Sequence, residues 1–226
     1  MLQTSNSITP VLIIIAGCNG SGKSTYAPTL ISNNHYPKEV FHFDGDKVFK
    51  EEYEKLDDSE YRELYAKKYT EDKFAALKEE CIKSKTSFAY ETNFNNNPHV
   101  IINEFKASGF RIHLHYFCLE NLLLAEERVA IRHSKGGHFV RKEEIKYRFE
   151  EGYKNLDSLF QAPHKLFIYD NSTDSLGLRE VLRMEQGNVL IYESENNIIH
   201  NLKLLESLQL KIKTDLQRVK NKGMNK

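Results

Sequence analysis

The sequence predicts an α/β fold in which a mainly parallel sheet lies between layers of helices. Three observations carry this. Short apolar, β-branched runs alternate along the chain with longer helical stretches, the pattern of successive strand–helix units. The first run, Val11-Leu12-Ile13-Ile14-Ile15-Ala16, is apolar without a break, as a strand buried on both faces must be. Polar and charged residues gather just past the ends of the runs, where open parallel sheets bind their ligands.

The elements follow in order. After 11–16, further strands are expected at 40–43 (ending at Asp44), 87–90 (ending at Glu91-Thr92), 110–119, 165–169 (ending at Asp170-Asn171) and 188–192. Helices are expected at about 47–56, 58–84, 98–108, 121–134, 142–160, 177–185 and 196–220. A shorter helix should follow the first strand, although Pro28 confines it to a first turn or kinks it. Residues 51–80 hold 11 acidic and 6 basic side chains, which reads as a solvated helical pair, or as a mobile lobe over a substrate. The 226-residue chain divides into a main domain over 1–195 and a C-terminal amphipathic helix with a basic tail over 196–226. Within the domain, 47–84 is a possible substrate lobe and 133–141 a possible lid.

Between the first strand and first helix stands Gly17-Cys18-Asn19-Gly20-Ser21-Gly22-Lys23-Ser24, the pattern G-x-x-x-x-G-K-[ST] of a phosphate-binding loop. Glycines let backbone N–H groups converge on phosphate without a Cβ clash, and the helix N-terminus adds partial positive charge. Lys23 would bridge β- and γ-phosphate oxygens, and the Ser24 hydroxyl would ligate Mg²⁺. The nucleotide-binding set is therefore Gly17, Asn19, Gly20, Ser21, Gly22, Lys23, Ser24 and Thr25, the fold a P-loop NTPase of kinase-like layout, and the cofactors ATP (or GTP) with Mg²⁺.

Bulk properties narrow the partners. Net charge is +0, so no global field draws in nucleic acid or a membrane surface, and a nucleic-acid substrate is unlikely on this ground. The three cysteines, Cys18, Cys81 and Cys118, form no C-x-x-C pair and point to a reducing compartment. Cys18, beside Lys23 and a helix N-terminus, could be an activated thiol, or a variable loop position, the simpler reading. The stretch ending Ile15-Ala16-Gly17-Cys18 mimics a lipoprotein box, but residues 1–10 carry no Lys or Arg, and the apolar stretch is too short to span a bilayer. A cytoplasmic protein is expected.

Two further groups favour phosphate transfer to a small acceptor. Phe43-Asp44-Gly45-Asp46 places two carboxylates directly after the second strand. One could orient an acceptor hydroxyl and take its proton while the other reaches Mg²⁺ waters; alternatively, Asp46 is simply a helix N-cap. Arg128 and Arg132 lie four residues apart on one helix face and could address one anion. Gly136-Gly137-His138 follows as a flexible segment that could close over nucleotide, with Arg148 beyond it. The histidines form no zinc-binding spacing.

The ordered segments AGCNGSGKST, FDGDKV, SFAYETNF, the long 108–149 stretch and FIYDNS resemble the zeta-toxin family of phosphate-loop kinases over about residues 10–173. The resemblance implies phosphorylation of a hydroxyl on a small metabolite, with the sugar nucleotide UDP-N-acetylglucosamine as one candidate. It implies Asp46 as general base, Lys23 with Arg128 or Arg132 on the transferring phosphate, and Glu91 and Thr92 at the acceptor; Asp44, His138 and Arg148 complete the expected substrate-binding set. Nothing in the sequence supports an antitoxin partner. The competing readings are a polynucleotide or nucleoside kinase, and a nucleotide-gated binding module without an acceptor.

Overall fold

The structure is a computed structural model; it describes residues 9–32, 36–136, 139–173, 177–194, 196 and 198–223. The first strand, β1 (Val11–Gly17), is wholly buried and runs into α1 (Lys23–Ile31). Then come β2 (Val40–Phe43), α2 (Gly45–Lys55), α3 (Arg62–Ser84), β3 (Ser87–Thr92), α4 (Pro98–Ala107), β4 (Arg111–Cys118), α5 (Leu122–Ser134), α6 (Lys142–Leu159) and β5 (Lys165–Asp170). Among the described residues, seven strands form one sheet in the order β2-β3-β1-β4-β5-β6-β7, where β6 is Arg179–Glu185 and β7 is Asn188–Tyr192. The first five are parallel, so the loops at their C-terminal ends share one edge.

The two sheet faces are covered unequally. One carries the main core, where Phe74, Ile102, Phe105, Ala125, Val129, Ile145 and Tyr153 bring α3, α4, α5 and α6 onto Leu12, Ile14, Phe88 and Leu114. On the other, Ala27, Tyr26 and Leu30 of α1 pack on Ile13, Ile15, Ala89 and Phe117. Pro28 sits inside α1 and forfeits one ladder bond, and the helix continues to Ile31, so of the two expected effects it does not confine the helix to its first turn.

Two expectations are corrected. Residues 177–185 were expected to be helical, but 179–185 form β6, antiparallel to β5 and β7. The stretch is rich in Arg, Glu, Leu and Met, good helix formers. It is overridden by the two-residue turn Gln186-Gly187, with φ of 48° and 78°, which folds β6 back against Asn188-Val189-Leu190-Ile191-Tyr192. Nor is 196–220 one helix. A short α7 (Ile198–Asn201) and a 3₁₀ turn at Lys203–Leu205 precede α8 (Glu206–Gly223). The Asp157 carboxylate of α6 accepts from Ser207 N–H and Leu208 N–H, satisfying the first turn of α8 from another helix. Leu205, Leu208 and Ile212 are buried in the main core. Among the described residues no helix is long and apolar enough to cross a membrane.

Candidate active site

The strand ends converge on a cleft of about 310 Å³. The loop after β1 forms its floor, Asp44 and Asp46 one wall, Glu91, Thr92 and Asn93 the back, and Arg128 and Arg132 of α5 the opposite wall. Gly17, Ser21 and Arg148 do not line it directly, although Gly17 and Ser21 belong to the loop.

Gly22 begins α1 with φ of 95°, where a side chain is strained, and a Cβ there would lie 2.4 Å from Asn171 Nδ2. That amide donates to Ser21 C=O at 2.9 Å, pinning the loop to the end of β5. Thr25 N–H and Tyr26 N–H donate to Gly22 C=O at 3.1 and 3.2 Å, so the N–H groups left to a ligand are those at the very start of α1. Lys23 Nζ donates to Gly17 C=O at 2.7 Å, Cys18 C=O at 3.0 Å and Asn93 Oδ1 at 3.2 Å. Burial of this ammonium lowers its pKa. Cys18 is buried, and burial pushes its thiol up to about 11 against the opposing pull of Lys23. The activated-thiol reading is thereby corrected: Cys18 is a packed, protonated side chain.

Ser24 Oγ donates to Glu91 Oε2 at 2.6 Å, and His42 Nε2 lies 3.3 Å from Glu91 Oε1. Burial would raise the Glu91 pKa, but hydrogen bonds from His42 and Ser24 and the charge of Lys23 hold it below the usual value. Thr92 Oγ1 accepts from Phe94 N–H at 3.0 Å and shapes the turn after β3. The same turn carries Asn93 to Lys23. Asn155 Nδ2 donates to Phe94 C=O, and Gly152 lets α6 approach so closely that a Cβ would meet Asn93 C=O at 2.7 Å.

The helix cap at α2 is Asp44, not Asp46: Asp44 Oδ1 accepts from Lys47 N–H at 3.1 Å. Burial raises the Asp44 pKa, with Glu91 and Asp46 adding to the effect. Asp46 lies in the first turn, its side chain 81% exposed, and its Oδ2 is 4.0 Å from Arg132 Nη1 across the cleft. The N-cap alternative for Asp46 is therefore removed.

The two arginines differ. Arg128 Nη1 donates to Asn171 C=O at 2.6 Å and Nη2 to Ser172 C=O at 3.4 Å, which ties α5 to the loop after β5. Arg132, one turn on, reaches Asp46. Arg148 Nη1 donates to Asn19 Oδ1 at 3.2 Å and pairs with Glu144, so it braces the loop from behind rather than facing the acceptor wall. Gly137 and His138 lie outside the described residues, and with them the centre of the 133–141 segment.

Sequence reasoning missed three residues: Asn93, Asn171 and His42. Asn93 and Asn171 stand just past β3 and β5, in the zone where polar residues gather, so position alone could have nominated them. His42 carried no signal, because its partner Glu91 lies on the neighbouring strand.

Hard oxygen donors and a lysine beside a glycine loop fit a Mg²⁺-nucleotide: Ser24 Oγ and the nearby carboxylates suit Mg²⁺, and Lys23 suits phosphate. Residues 2–196 match the family model described as Zeta toxin. No curated protein matches the chain in sequence. Among solved structures, the PezAT chromosomal toxin-antitoxin system of Streptococcus pneumoniae superposes with a TM-score of 0.54 at 16% identity, over 75% of this chain and 72% of that one. The AvrRxo1-ORF1:-ORF2 complex with ATP gives 0.59 at 13% identity, over 84% of this chain and 63% of that one. At such identities these likenesses establish the fold.

Proposed function

Because this chain belongs to the zeta-toxin family, we propose that it is an ATP- or GTP-dependent kinase that phosphorylates a hydroxyl of a small metabolite, with UDP-N-acetylglucosamine the first acceptor to test. The observation that carries the reading is the placement of Asp46 and Arg132 on opposite walls of the cleft whose floor is Lys23 and Ser24.

Bound Mg²⁺-nucleotide supplies the phosphoryl group and offsets its charge. The protein's part is positioning and proton handling. Lys23 would hold phosphate oxygens in place of the carbonyls of Gly17 and Cys18, and Ser24, oriented by Glu91, would hold Mg²⁺ through its hydroxyl oxygen. The acceptor hydroxyl binds beside Asp46, whose carboxylate takes its proton as the new O–P bond forms and the bond to the nucleoside-diphosphate oxygen breaks. Arg132 stabilises the negative charge spread over the moving group. Arg128 contributes by holding the backbone carbonyls of Asn171 and Ser172, and the Asn171 side-chain amide pins the loop.

Purified protein incubated with ATP, Mg²⁺ and a metabolite mixture containing UDP-N-acetylglucosamine, with Lys23→Ala as control, tests this by mass spectrometry. A gain of one phosphate on the sugar nucleotide supports reaction and acceptor together. A gain on another species keeps the kinase and discards that acceptor. ATP binding with no phosphorylated product would overturn the kinase reading in favour of a nucleotide-gated module. Since the PezAT structure is described as a toxin-antitoxin system, a protein partner that restrains activity is part of the proposal; co-expression with the neighbouring reading frame checks it.

A further inference from the structure

The turn after β5 is the hub of the phosphate-binding loop's support. Asn171 N–H donates to Cys118 C=O at 3.1 Å, and the Asn171 side-chain amide holds Ser21 C=O. The carbonyls of Asn171 and Ser172 receive Arg128, and Ser172 Oγ accepts from Glu120 N–H at 2.9 Å. The end of β4, α5 and the loop therefore all lean on two residues that belong to no helix or strand. Such a turn needs something to fix its own shape.

Asp170, the last residue of β5, supplies it. Its Oδ1 accepts from Ser172 N–H at 2.9 Å and closes the turn, as an Asp side chain readily does two residues on. Its Oδ2 accepts from Asn196 Nδ2 at 2.7 Å, across 26 positions of chain. Asn196 is 7% exposed; its Oδ1 accepts from Ile198 N–H at 2.9 Å, and its own N–H donates to Glu193 C=O at 3.1 Å. A buried amide engaged at both ends has one orientation, so Asn196 passes the position of the chain after it to Asp170.

That chain is firmly anchored. Ile198, Ile199, Leu202, Leu205, Leu208 and Ile212 are buried in the main core. Gln209 Nε2 of α8 donates to Ile199 C=O at 2.6 Å and Leu202 C=O at 3.2 Å, tying α8 to α7, and Asp157 of α6 caps α8. Hydrogen bonds and short backbone steps thus run from α8 through Asn196 and Asp170 to Ser21 C=O. At the far end the fit is tight: the Asn171 amide stands 2.4 Å from where a Gly22 Cβ would be, so a small shift of the turn displaces the loop.

On the reading of that loop as the nucleotide site, we propose that Asp170 and Asn196 are positioning residues, through which the C-terminal helices hold the loop in its binding shape. Neither residue lines the cleft, so their effect on nucleotide passes through the 171–172 turn. A role confined to attaching the C-terminal helices would leave the loop untouched.

A reciprocal exchange in the full chain separates the two. Asp170→Asn sets an amide against the Asn196 amide, and Asn196→Asp sets a carboxylate against the Asp170 carboxylate; each breaks the contact with almost no change of shape. Together they restore it with donor and acceptor exchanged, and keep an acceptor for Ser172 N–H and for Ile198 N–H. Amide hydrogen exchange of the nucleotide-free protein is followed at Ser21, Thr25 and Tyr26 N–H, which bond within the loop and the first turn of α1. Each single variant should speed exchange there about tenfold and weaken Mg²⁺-ATP binding, measured by calorimetry, about fivefold or more; the double variant should return both close to wild type. Exchange needs no ligand, so an unaltered protein that fails to bind ATP removes the nucleotide reading while the loop amides still decide the coupling. Faster exchange confined to Ile198 and Leu208 N–H, with the loop amides unmoved, would overturn the proposal, as would a double variant no better than the singles. If a single variant does not fold, exchange of the unaltered protein in mild denaturant decides: the Ser172, Ile198 and loop amides should open with one free energy, and separate openings would break the link.

Discussion

Ser24 Oγ donates to Glu91 Oε2 at 2.6 Å, joining the first turn of α1 to the end of β3. The bond places a carboxylate behind the hydroxyl proposed to hold Mg²⁺. Glu91 lines the cleft as well, and we propose that it orients the Ser24 hydroxyl. Supporting partners of this kind typically change metal affinity by 10–100-fold. Glu91→Gln should keep the fold, because Gln can still accept from Ser24, but raise the Mg²⁺ concentration for half-maximal activity by about tenfold. An unchanged Mg²⁺ titration would remove Glu91 from the metal's support.

Asp46 is exposed, caps nothing and faces Arg132. Asp46→Asn should lower phosphate transfer by about 10²–10⁴-fold, the span of general-base catalysis, with ATP affinity nearly intact. Paired rate and nucleotide-binding measurements check this, and wild-type turnover in the variant would sink the base assignment.

The two arginines should separate by readout. Arg132→Ala should reduce kcat by about 10³-fold without loss of thermal stability, as expected of a group acting on transferring charge. Arg128→Ala breaks the bonds to the Asn171 and Ser172 carbonyls, so its melting temperature should fall as well. Equal melting temperatures for the two variants would refute this division.

Gly22 is confined by its backbone and by Asn171. Gly22→Ala should destabilise the protein by about 1–2 kcal/mol from the left-handed φ alone and remove nucleotide binding. Adding Asn171→Ala relieves the 2.4 Å contact but not the φ, so the double variant should recover only part of the loss. Urea denaturation of the wild type, the single variant and the double variant decides; full recovery would show that the φ costs nothing.

The paired imidazoles on β4 make stability pH-dependent. Burial lowers His113 from 6.5 to about 4 and His115 to about 3, with neighbouring positive groups adding to the effect. Between the unfolded value and these, the unfolded chain binds more protons than the folded one, so stability rises with pH in that window. It should fall by on the order of a few kcal/mol as pH drops from about 6.5 towards 4. Denaturation midpoints across this range test it. His115→Phe should flatten the slope; an identical slope would place the loss elsewhere.

The parallel sheet, the phosphate loop and the placing of Asp44, Asp46, Glu91 and both arginines at one edge are legible in the sequence. Each of these depends on local pattern: apolar runs, glycine spacing and position past a strand end. It misread 179–185, where helix formers were outvoted by a hairpin turn and a sheet edge waiting for a partner. It could not see that Asp44 rather than Asp46 caps α2, nor that Cys18 is sealed in the core, since both depend on which way a side chain turns. The Ser24–Glu91–His42 chain, the Asn93 contact to Lys23 and the Tyr36 bridge between His113 and His115 join residues 67, 70 and about 80 positions apart. These came with the folded chain alone, because hydrogen bonds and burial are set by distance in space, and no sequence period encodes the meeting of separate strands.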